Sequence, residues 1–154
     1  MLSDGDLIRN LLGLYCRLID AGDFAAVGRL FAAATVCTED GSVVAAGADQ
    51  VARLYADTTR RHADGTPMTQ HVVANTVLEP LDEDTIRALS SYVVLQATDS
   101  LPLQPIVTGS YVDTFARTDG PVGWRFAERR ITMGRAGDLS QHLGGALAEA
   151  GERK

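Results

Sequence analysis

The order of helical and β-type segments along the chain limits its fold more than any other feature. Three segments with helical spacing of apolar residues come first, before residue 65, and long β-type segments fill residues 68–133. Helices that precede a run of strands are typical of the α+β class. The strands are joined by short connections, which pair neighbouring strands antiparallel, because a parallel pair needs a crossover of a dozen residues or more. We therefore predict an antiparallel meander covered by helices.

The first predicted helix begins after Ser3 and ends at Gly22. Ser3 and Asp6 resemble a capping box in which Asp replaces the usual Glu or Gln, and glycine is the common residue after a helix end. Asp23 can cap a short second helix, and a third opens near residue 48. The first helix has a broad apolar face with helical spacing, made of Leu7, Ile8, Leu11, Leu12, Tyr15, Cys16, Leu18 and Ile19.

The β-type part is divided by turn-forming residues. Four segments rich in Val, Ile, Thr, Tyr and Phe span residues 68–79, 85–98, 104–117 and 123–133, and clusters of Asp, Ser, Gly and Pro separate them. An Asp-Gly pair near residue 40 predicts an additional short hairpin before the third helix. The sequence thus predicts four long strands and one hairpin.

A long antiparallel sheet must twist or curve, and helices cover only one of its faces. We predict an α+β, cone-shaped roll, in which a curved antiparallel sheet wraps around the long N-terminal helix with two further helices. The wide end of such a cone is difficult to fill, so a pocket for a small apolar ligand is expected there. The predicted domain covers residues 1–134, and the glycine-containing residues 135–154 are predicted to form a loosely ordered tail.

Composition and charge exclude several classes of function. The 154 residues fit one domain, and the net charge of −6 disfavours phosphate backbones, so no nucleic acid is expected. No apolar run is long enough to span a bilayer, and the acidic N-terminus lacks the pattern of a signal peptide. We therefore expect no membrane association and a cytoplasmic location. The histidines and cysteines lack metal-ligand spacing, so neither a metal nor another cofactor is predicted.

The long strands carry apolar residues on both faces, as residues 90–96 illustrate. An exposed apolar sheet face commonly marks a partner surface. We therefore predict a homo-oligomer, a dimer before a trimer.

Several segments, in order, resemble the nuclear transport factor 2-like superfamily, and within it the SnoaL-like branch. They are residues 15–24, Leu30-Phe31, Gln70-His71 with Asn75, residues 109–113 and residues 124–129. The resemblance extends over residues 5–133. It implies the cone fold and a place among dehydratases, ketosteroid isomerases, polyketide cyclases, small subunits of ring-hydroxylating dioxygenases and structural modules.

Within that branch, the chain is similar to scytalone dehydratase at two positions. The resemblance implies that Asp20, at the end of the first helix, is the catalytic carboxylate and that His71, after a Thr-Gln pair, is a catalytic histidine. Ser110 stands where that enzyme has a second histidine, and Ile19 where it has a tyrosine. Tyr15 matches a tyrosine of the steroid isomerases, but no aspartate convincingly matches their base.

These residues suit acid–base chemistry without a cofactor. An imidazole titrates near neutral pH and can act as acid or base, and a carboxylate such as Asp20 can fix the tautomer of His71. Strand alternation places Asn75 on the same face as His71. We predict a cofactor-independent lyase or isomerase acting on a small polycyclic, aromatic or steroid-like carbonyl compound. Its predicted pocket residues are Tyr15, Asn75, Tyr92 and Tyr111.

Other interpretations of the same residues stay open. Asp20 could bond the amides of the turn that follows it, and His71 could be a core residue. The alternatives for function are a non-catalytic small-molecule-binding or structural module, a polyketide (aldol) cyclase and a dioxygenase small subunit.

Charged residues outside the site are predicted to be structural. Arg125 and Arg129 are expected in surface or rim ion pairs, with Asp113 and Arg129 as a cross-strand pair. His62 and His142 are expected to be solvated, without a role.

Overall fold

The computed structural model describes residues 1–145 and confirms the α+β fold. Its three helices and six strands follow the predicted order, and residues 146–154 of the predicted tail lie outside the described residues. The elements are α1 (Asp4–Asp20), α2 (Phe24–Leu30), β1 (Thr35–Thr38), β2 (Val43–Ala46), α3 (Gly47–Thr58), β3 (Thr69–Pro80), β4 (Thr85–Thr98), β5 (Leu101–Arg117) and β6 (Trp124–Ala136).

The strands form one sheet in the order β2-β1-β6-β5-β4-β3. The four long strands pair antiparallel with their neighbours in sequence, as predicted. The sheet as a whole is mixed, because β1 lies parallel to β6, with Val36 opposite Arg129. A long connection separates these two strands, so no hairpin constrains their relative direction.

Helix α1 lies inside the curve of the sheet. Its capping box is present: the backbone N–H of Asp6 donates to Ser3 Oγ at 3.2 Å, and that of Ser3 donates to Asp6 Oδ2 at 3.0 Å. The helix buries the apolar face predicted from its spacing, and Ile8, Tyr15 and Ile19 on it are almost inaccessible to solvent. It packs mainly against β3, which brings the end of α1 close to the beginning of that strand.

The inner face of the sheet is shown by the alternation along β4. Buried side chains occupy every second position of that strand, and they are Ile86, Ala88, Ser90, Tyr92, Val94 and Gln96. This period of two is the pattern of a strand with one face toward the core. β4 therefore supplies part of the inner wall of the roll.

The segment after β6 lies against the rest of the domain. Residues 137–145 form this segment, the C-terminal strap. The N–H of Gly144 donates to Thr58 O at 2.8 Å, and that of Arg60 donates to His142 O at 2.8 Å. These bonds attach the described part of the predicted tail to the end of α3, whereas the domain boundary at residue 134 stays a prediction.

Among residues 1–145, no helix is both long and apolar enough to cross a membrane. The predicted cytoplasmic location stays a prediction. Val72 and Val77, on β3, are exposed in the single chain. The homo-oligomer predicted from such apolar positions is an expectation that light scattering can test.

Candidate functional site

Asp20 and His71 meet where α1 ends and β3 begins. Asp20 Oδ1 accepts a hydrogen bond from His71 Nδ1 at 2.6 Å and one from the Thr69 hydroxyl at 2.9 Å. Asp20 Oδ2 accepts the backbone N–H of His71 at 2.8 Å. The side chains of His71 and Asp20 are only 8% and 19% exposed. The predicted contact is present, and the alternative that Asp20 bonds the turn amides after α1 is wrong.

This contact fixes the tautomer of His71. An ionised carboxylate only accepts hydrogen bonds, so Nδ1 carries the proton that it shares with Asp20. In the neutral ring, Nε2 then carries the lone pair. The His71 ring borders the inner cavity and meets the Tyr15 ring edge-on, with centroids 6.2 Å apart.

An inner cavity of about 240 Å³ opens between α1, α3, the sheet and the C-terminal strap. Three predicted pocket residues, Tyr15, Tyr92 and Tyr111, line it together with His71. Asp20 lies behind His71 and borders a separate outer depression with it. The other residues that line the inner cavity are Ile19, Tyr55, Thr58, Thr59, Val94, Val107, Ile131, Met133, Leu139, His142 and Leu143.

Asn75 does not line the inner cavity, so its predicted place on the same face as His71 is wrong. A bulge interrupts β3 between Ala74 and Val77, and Asn75 has a φ of 54°. Asn is among the residues that tolerate this left-handed backbone conformation. The bulge shifts the alternation, so Thr76 takes the inner position and its hydroxyl lies 3.1 Å from Ser90 Oγ, while Asn75 is exposed.

Four tyrosines form one wall of the cavity. Tyr92 stacks on Tyr111 with centroids 4.4 Å apart, and Tyr111 meets Tyr15 edge-on at 6.1 Å. The hydroxyls of Tyr15 and Tyr55 lie 3.1 Å apart. Burial raises the pKa of Tyr15 and of Tyr111 well above the usual range, so both phenols stay protonated at neutral pH. Tyr55, on α3, is a lining residue that the sequence did not predict.

A buried ion pair lies behind this wall. Arg129 Nε and Nη2 donate to the two carboxylate oxygens of Asp113 at 2.7 and 2.9 Å, and both side chains are fully buried. The predicted cross-strand pair is confirmed, but the predicted surface or rim position of Arg129 is wrong. Its guanidinium lies 4.1 Å from the centroid of the Tyr15 ring and 3.9 Å from that of Tyr111. Arg125 is exposed and donates to a backbone carbonyl before β1.

His142 borders the inner cavity, so the prediction that it is solvated is wrong. Burial, and next the neighbouring His71, lower its pKa to about 4. One local signal could have indicated this position: Leu139, His142 and Leu143 share the i, i+3, i+4 spacing of a helical face, although the strap forms only a turn there.

His62, also predicted to be solvated, is partly buried. Its Nε2 lies 3.0 Å from the carbonyl oxygen of Gln141, to which it donates because a carbonyl only accepts. His62 therefore helps to hold the C-terminal strap and lies outside the lining of the inner cavity.

Within residues 1–145, no group of three or more His, Cys, Asp or Glu side chains is arranged to hold a metal ion. The expectation that the protein works without a metal or another cofactor stays a prediction.

Comparison with known families and structures gives a consistent result. The SnoaL-like domain family matches residues 1–130. No curated protein matches this chain. An NTF2-like protein with a cystatin-like fold from Novosphingobium aromaticivorans superposes with a TM-score of 0.67 at 22% identity, covering 96% of this chain and 87% of that chain.

Two further structures share the fold. A candidate scytalone dehydratase from Novosphingobium aromaticivorans has a TM-score of 0.67 at 19% identity, covering 88% of this chain and 87% of its own. ActVI-ORFA from Streptomyces coelicolor has a TM-score of 0.68 at 17% identity, covering 85% of this chain and 98% of its own. At these identities the similarity concerns the fold, since one fold carries many functions.

Proposed function

The chain belongs to the SnoaL-like domain family, and we propose that it is a cofactor-independent lyase or isomerase acting on a small cyclic carbonyl compound. The observation that carries this proposal is the 2.6 Å contact between Asp20 and His71, whose side chain also lines a mostly apolar inner cavity. A base that is oriented by a carboxylate and shielded from water is the arrangement that proton abstraction needs.

In the first step, Nε2 of His71 removes a proton from the carbon next to the substrate carbonyl. The electron pair of that C–H bond forms the carbon–carbon double bond of an enolate, and the carbonyl π electrons move to the oxygen. Asp20 stabilises the imidazolium that results, because it accepts the Nδ1–H bond at 2.6 Å. The gain is electrostatic and is larger in a water-poor site.

The second step determines the reaction type. In an isomerisation, the substrate is a β,γ-unsaturated ketone, so the enolate is a conjugated dienolate. The imidazolium returns its proton to the γ-carbon, the double bond moves to the α,β position and the carbonyl re-forms. In an elimination, the enolate electrons re-form the carbonyl and a carbon–carbon double bond, while the bond to a β-hydroxyl breaks. The hydroxyl takes the proton from His71 and leaves as water, so the enzyme returns to its starting state in both cases.

The size of the cavity narrows the class of substrate. Pockets for drug-sized ligands commonly measure about 300–1,000 Å³, whereas this cavity measures about 240 Å³. Its walls are mostly aliphatic and aromatic, and the buried phenol of Tyr15 stays protonated. A ligand with one or two fused rings fits these conditions better than a four-ring steroid.

The test replaces His71 with Gln and measures both ligand affinity and turnover on a panel of mono- and bicyclic ketones and β-hydroxyketones. We expect turnover to fall about 10²–10⁴-fold while affinity changes only a few-fold. The matched control is Gln70→Ala, an exposed neighbour on the same strand, which should behave as the wild type. Binding without turnover in the wild type would contradict the proposal and favour a binding module.

A further inference from the structure

Hydrogen bonds within the C-terminal strap and to its neighbours fix the backbone position of His142. Its carbonyl accepts the N–H of Arg60 at 2.8 Å, and its own N–H donates to Leu139 O at 3.0 Å. Next to it, Gln96 Nε2 donates to Gln141 O at 3.0 Å from the inner face of β4. The imidazole is therefore attached to backbone that is held by both α3 and the sheet, and it borders the inner cavity.

The two nitrogens of the His142 ring have different surroundings. Nδ1 is sealed from solvent and has no hydrogen-bond partner among residues 1–145. A buried N–H without an acceptor is a rarer defect in proteins than a buried acceptor without a donor. The proton of the neutral ring is therefore placed on Nε2, the edge that remains for the cavity.

Burial, helped by the neighbouring His71, keeps the ring of His142 neutral. Asp20 acts on it from α1, His71 from β3 and His62 from beside the strap. Burial comes first and His71 second in lowering the pKa of His142 to about 4, and the opposing effect of Asp20 does not offset them. At neutral pH the ring is an imidazole with one N–H donor, a form that can polarise a carbonyl without giving up its proton.

We propose that His142 is a second catalytic residue, whose Nε2–H donates a hydrogen bond to the carbonyl oxygen of the substrate while His71 removes the neighbouring proton. This inference rests on the proposed function of the His71 site. The negative charge that develops on the oxygen strengthens the bond from His142, which is how a pre-positioned donor lowers a barrier. No proton leaves His142, so the proton balance of the reaction still belongs to His71 alone.

The same arrangement explains how the cavity can work without a histidine at position 110. Ser110 borders a depression on the outer face of the sheet and not the inner cavity. A donor from β5 is thus absent at that position, and in this proposal His142 of the C-terminal strap, which lines the inner cavity, supplies one. The inference also defines the substrate further: it must present its carbonyl toward the strap and its acidic C–H toward β3.

The test follows the carbonyl stretch of isotope-labelled α-tetralone by infrared difference spectroscopy, because a hydrogen bond to the oxygen lowers that frequency. We expect the frequency of the bound ketone to be lower in the wild type than in His142→Leu. His142→Gln retains an N–H donor and should keep part of the shift. Ser140→Ala, an exposed position on the same strap, is the matched control and should resemble the wild type.

The infrared shift does not depend on turnover, which separates this inference from the proposed function. His71→Gln should bind α-tetralone with the shift intact, and turnover on β-hydroxyketones should fall in His142→Leu by about 10²–10³-fold. Equal carbonyl frequencies in the wild type and His142→Leu would overturn the inference, as would a wild type that does not bind α-tetralone. An intact, His142-dependent shift without turnover would contradict the acid–base function and support the hydrogen bond.

Discussion

Asp20 contacts His71 twice, through Nδ1 at 2.6 Å and through the backbone N–H at 2.8 Å. The first contact orients the imidazole, and the second attaches the beginning of β3 to the end of α1. One carboxylate therefore sets both the direction of the candidate base and the position of the strand that carries it. A substitution at residue 20 should affect chemistry and stability by different amounts.

Asp20→Asn separates these two effects. The amide oxygen can still accept hydrogen bonds, but the NH₂ group that replaces the second carboxylate oxygen only donates. The bonds from Nδ1 and from the backbone N–H therefore cannot both be kept with the strength that a carboxylate gives them. We expect turnover on a cyclic ketone panel to fall by up to about 10⁴-fold, the size of the comparable change in a catalytic triad. The free energy of unfolding should fall by about 1–3 kcal/mol, measured by urea denaturation. Asp99→Asn, in an exposed turn, is the control, and unchanged turnover in Asp20→Asn would contradict the role of the dyad.

Gly109 allows the ring of Tyr92 to cross the neighbouring strand. A Cβ atom at position 109 would collide with the Tyr92 hydroxyl group and with the backbone oxygen of Thr132. Gly109→Ala must therefore move both β6 and the tyrosine wall of the cavity. We expect a loss of about 1–3 kcal/mol in the free energy of unfolding and weaker binding of α-tetralone. Ser110→Ala is the adjacent control, and wild-type stability of Gly109→Ala would show that the sheet adjusts without cost.

The fold could be predicted from the sequence because its signals are local. Helical spacing, caps and turn residues lie within a few positions of one another, and they placed α1 and the four long strands to within a few residues. The pairing of β1 with β6 has no such local signal, since Val36 and Arg129 lie opposite each other but are separated in sequence by α3 and the strands β3 to β5. The sequence therefore predicted the hairpin but not its parallel neighbour.

The site was predictable only where regular alternation holds. His71 lies before the bulge of β3, and its predicted contact with Asp20 is present, whereas Asn75 lies in the bulge and turns outward. Arg129 was expected at the rim because charged residues are rarely buried. A bidentate carboxylate partner on the adjacent strand makes its burial possible, and His142 was missed because its environment comes from distant segments.

Removing one partner of the buried ion pair between Arg129 and Asp113 should lower the free energy of unfolding strongly. Both side chains are fully buried, so removal of one leaves an uncompensated charge in the core. Asp113→Asn or Arg129→Met should each lower the free energy of unfolding by about 3–5 kcal/mol. Asp113→Leu combined with Arg129→Met should recover part of that loss. Urea denaturation of the four proteins measures this, with the exposed pair of Arg87 and Glu79 as the comparison, where a break should cost at most about 1 kcal/mol.

His142 should give the protein a characteristic dependence of stability on pH. Its pKa is lowered from 6.5 to about 4 in the folded chain, so between these values the unfolded chain binds a proton that the folded chain does not. Stability rises with pH wherever the unfolded state binds more protons. The contribution of His142 is therefore present above the unfolded pKa and is lost as the pH falls toward 4.

The two pKa values set the size of this effect. From linkage, His142 should reduce the free energy of unfolding by about 2 kcal/mol between about pH 7 and about pH 5. Because other groups titrate in the same range, the measured quantity is the difference between the wild type and His142→Gln, obtained from urea denaturation at both pH values. The variant should lose less stability than the wild type by about that amount, whereas Ser140→Ala should follow the wild type. Identical pH dependence in the wild type and His142→Gln would show that the folded protein does not bury the ring, and a hydrated donor would do little to stabilise charge on the substrate oxygen.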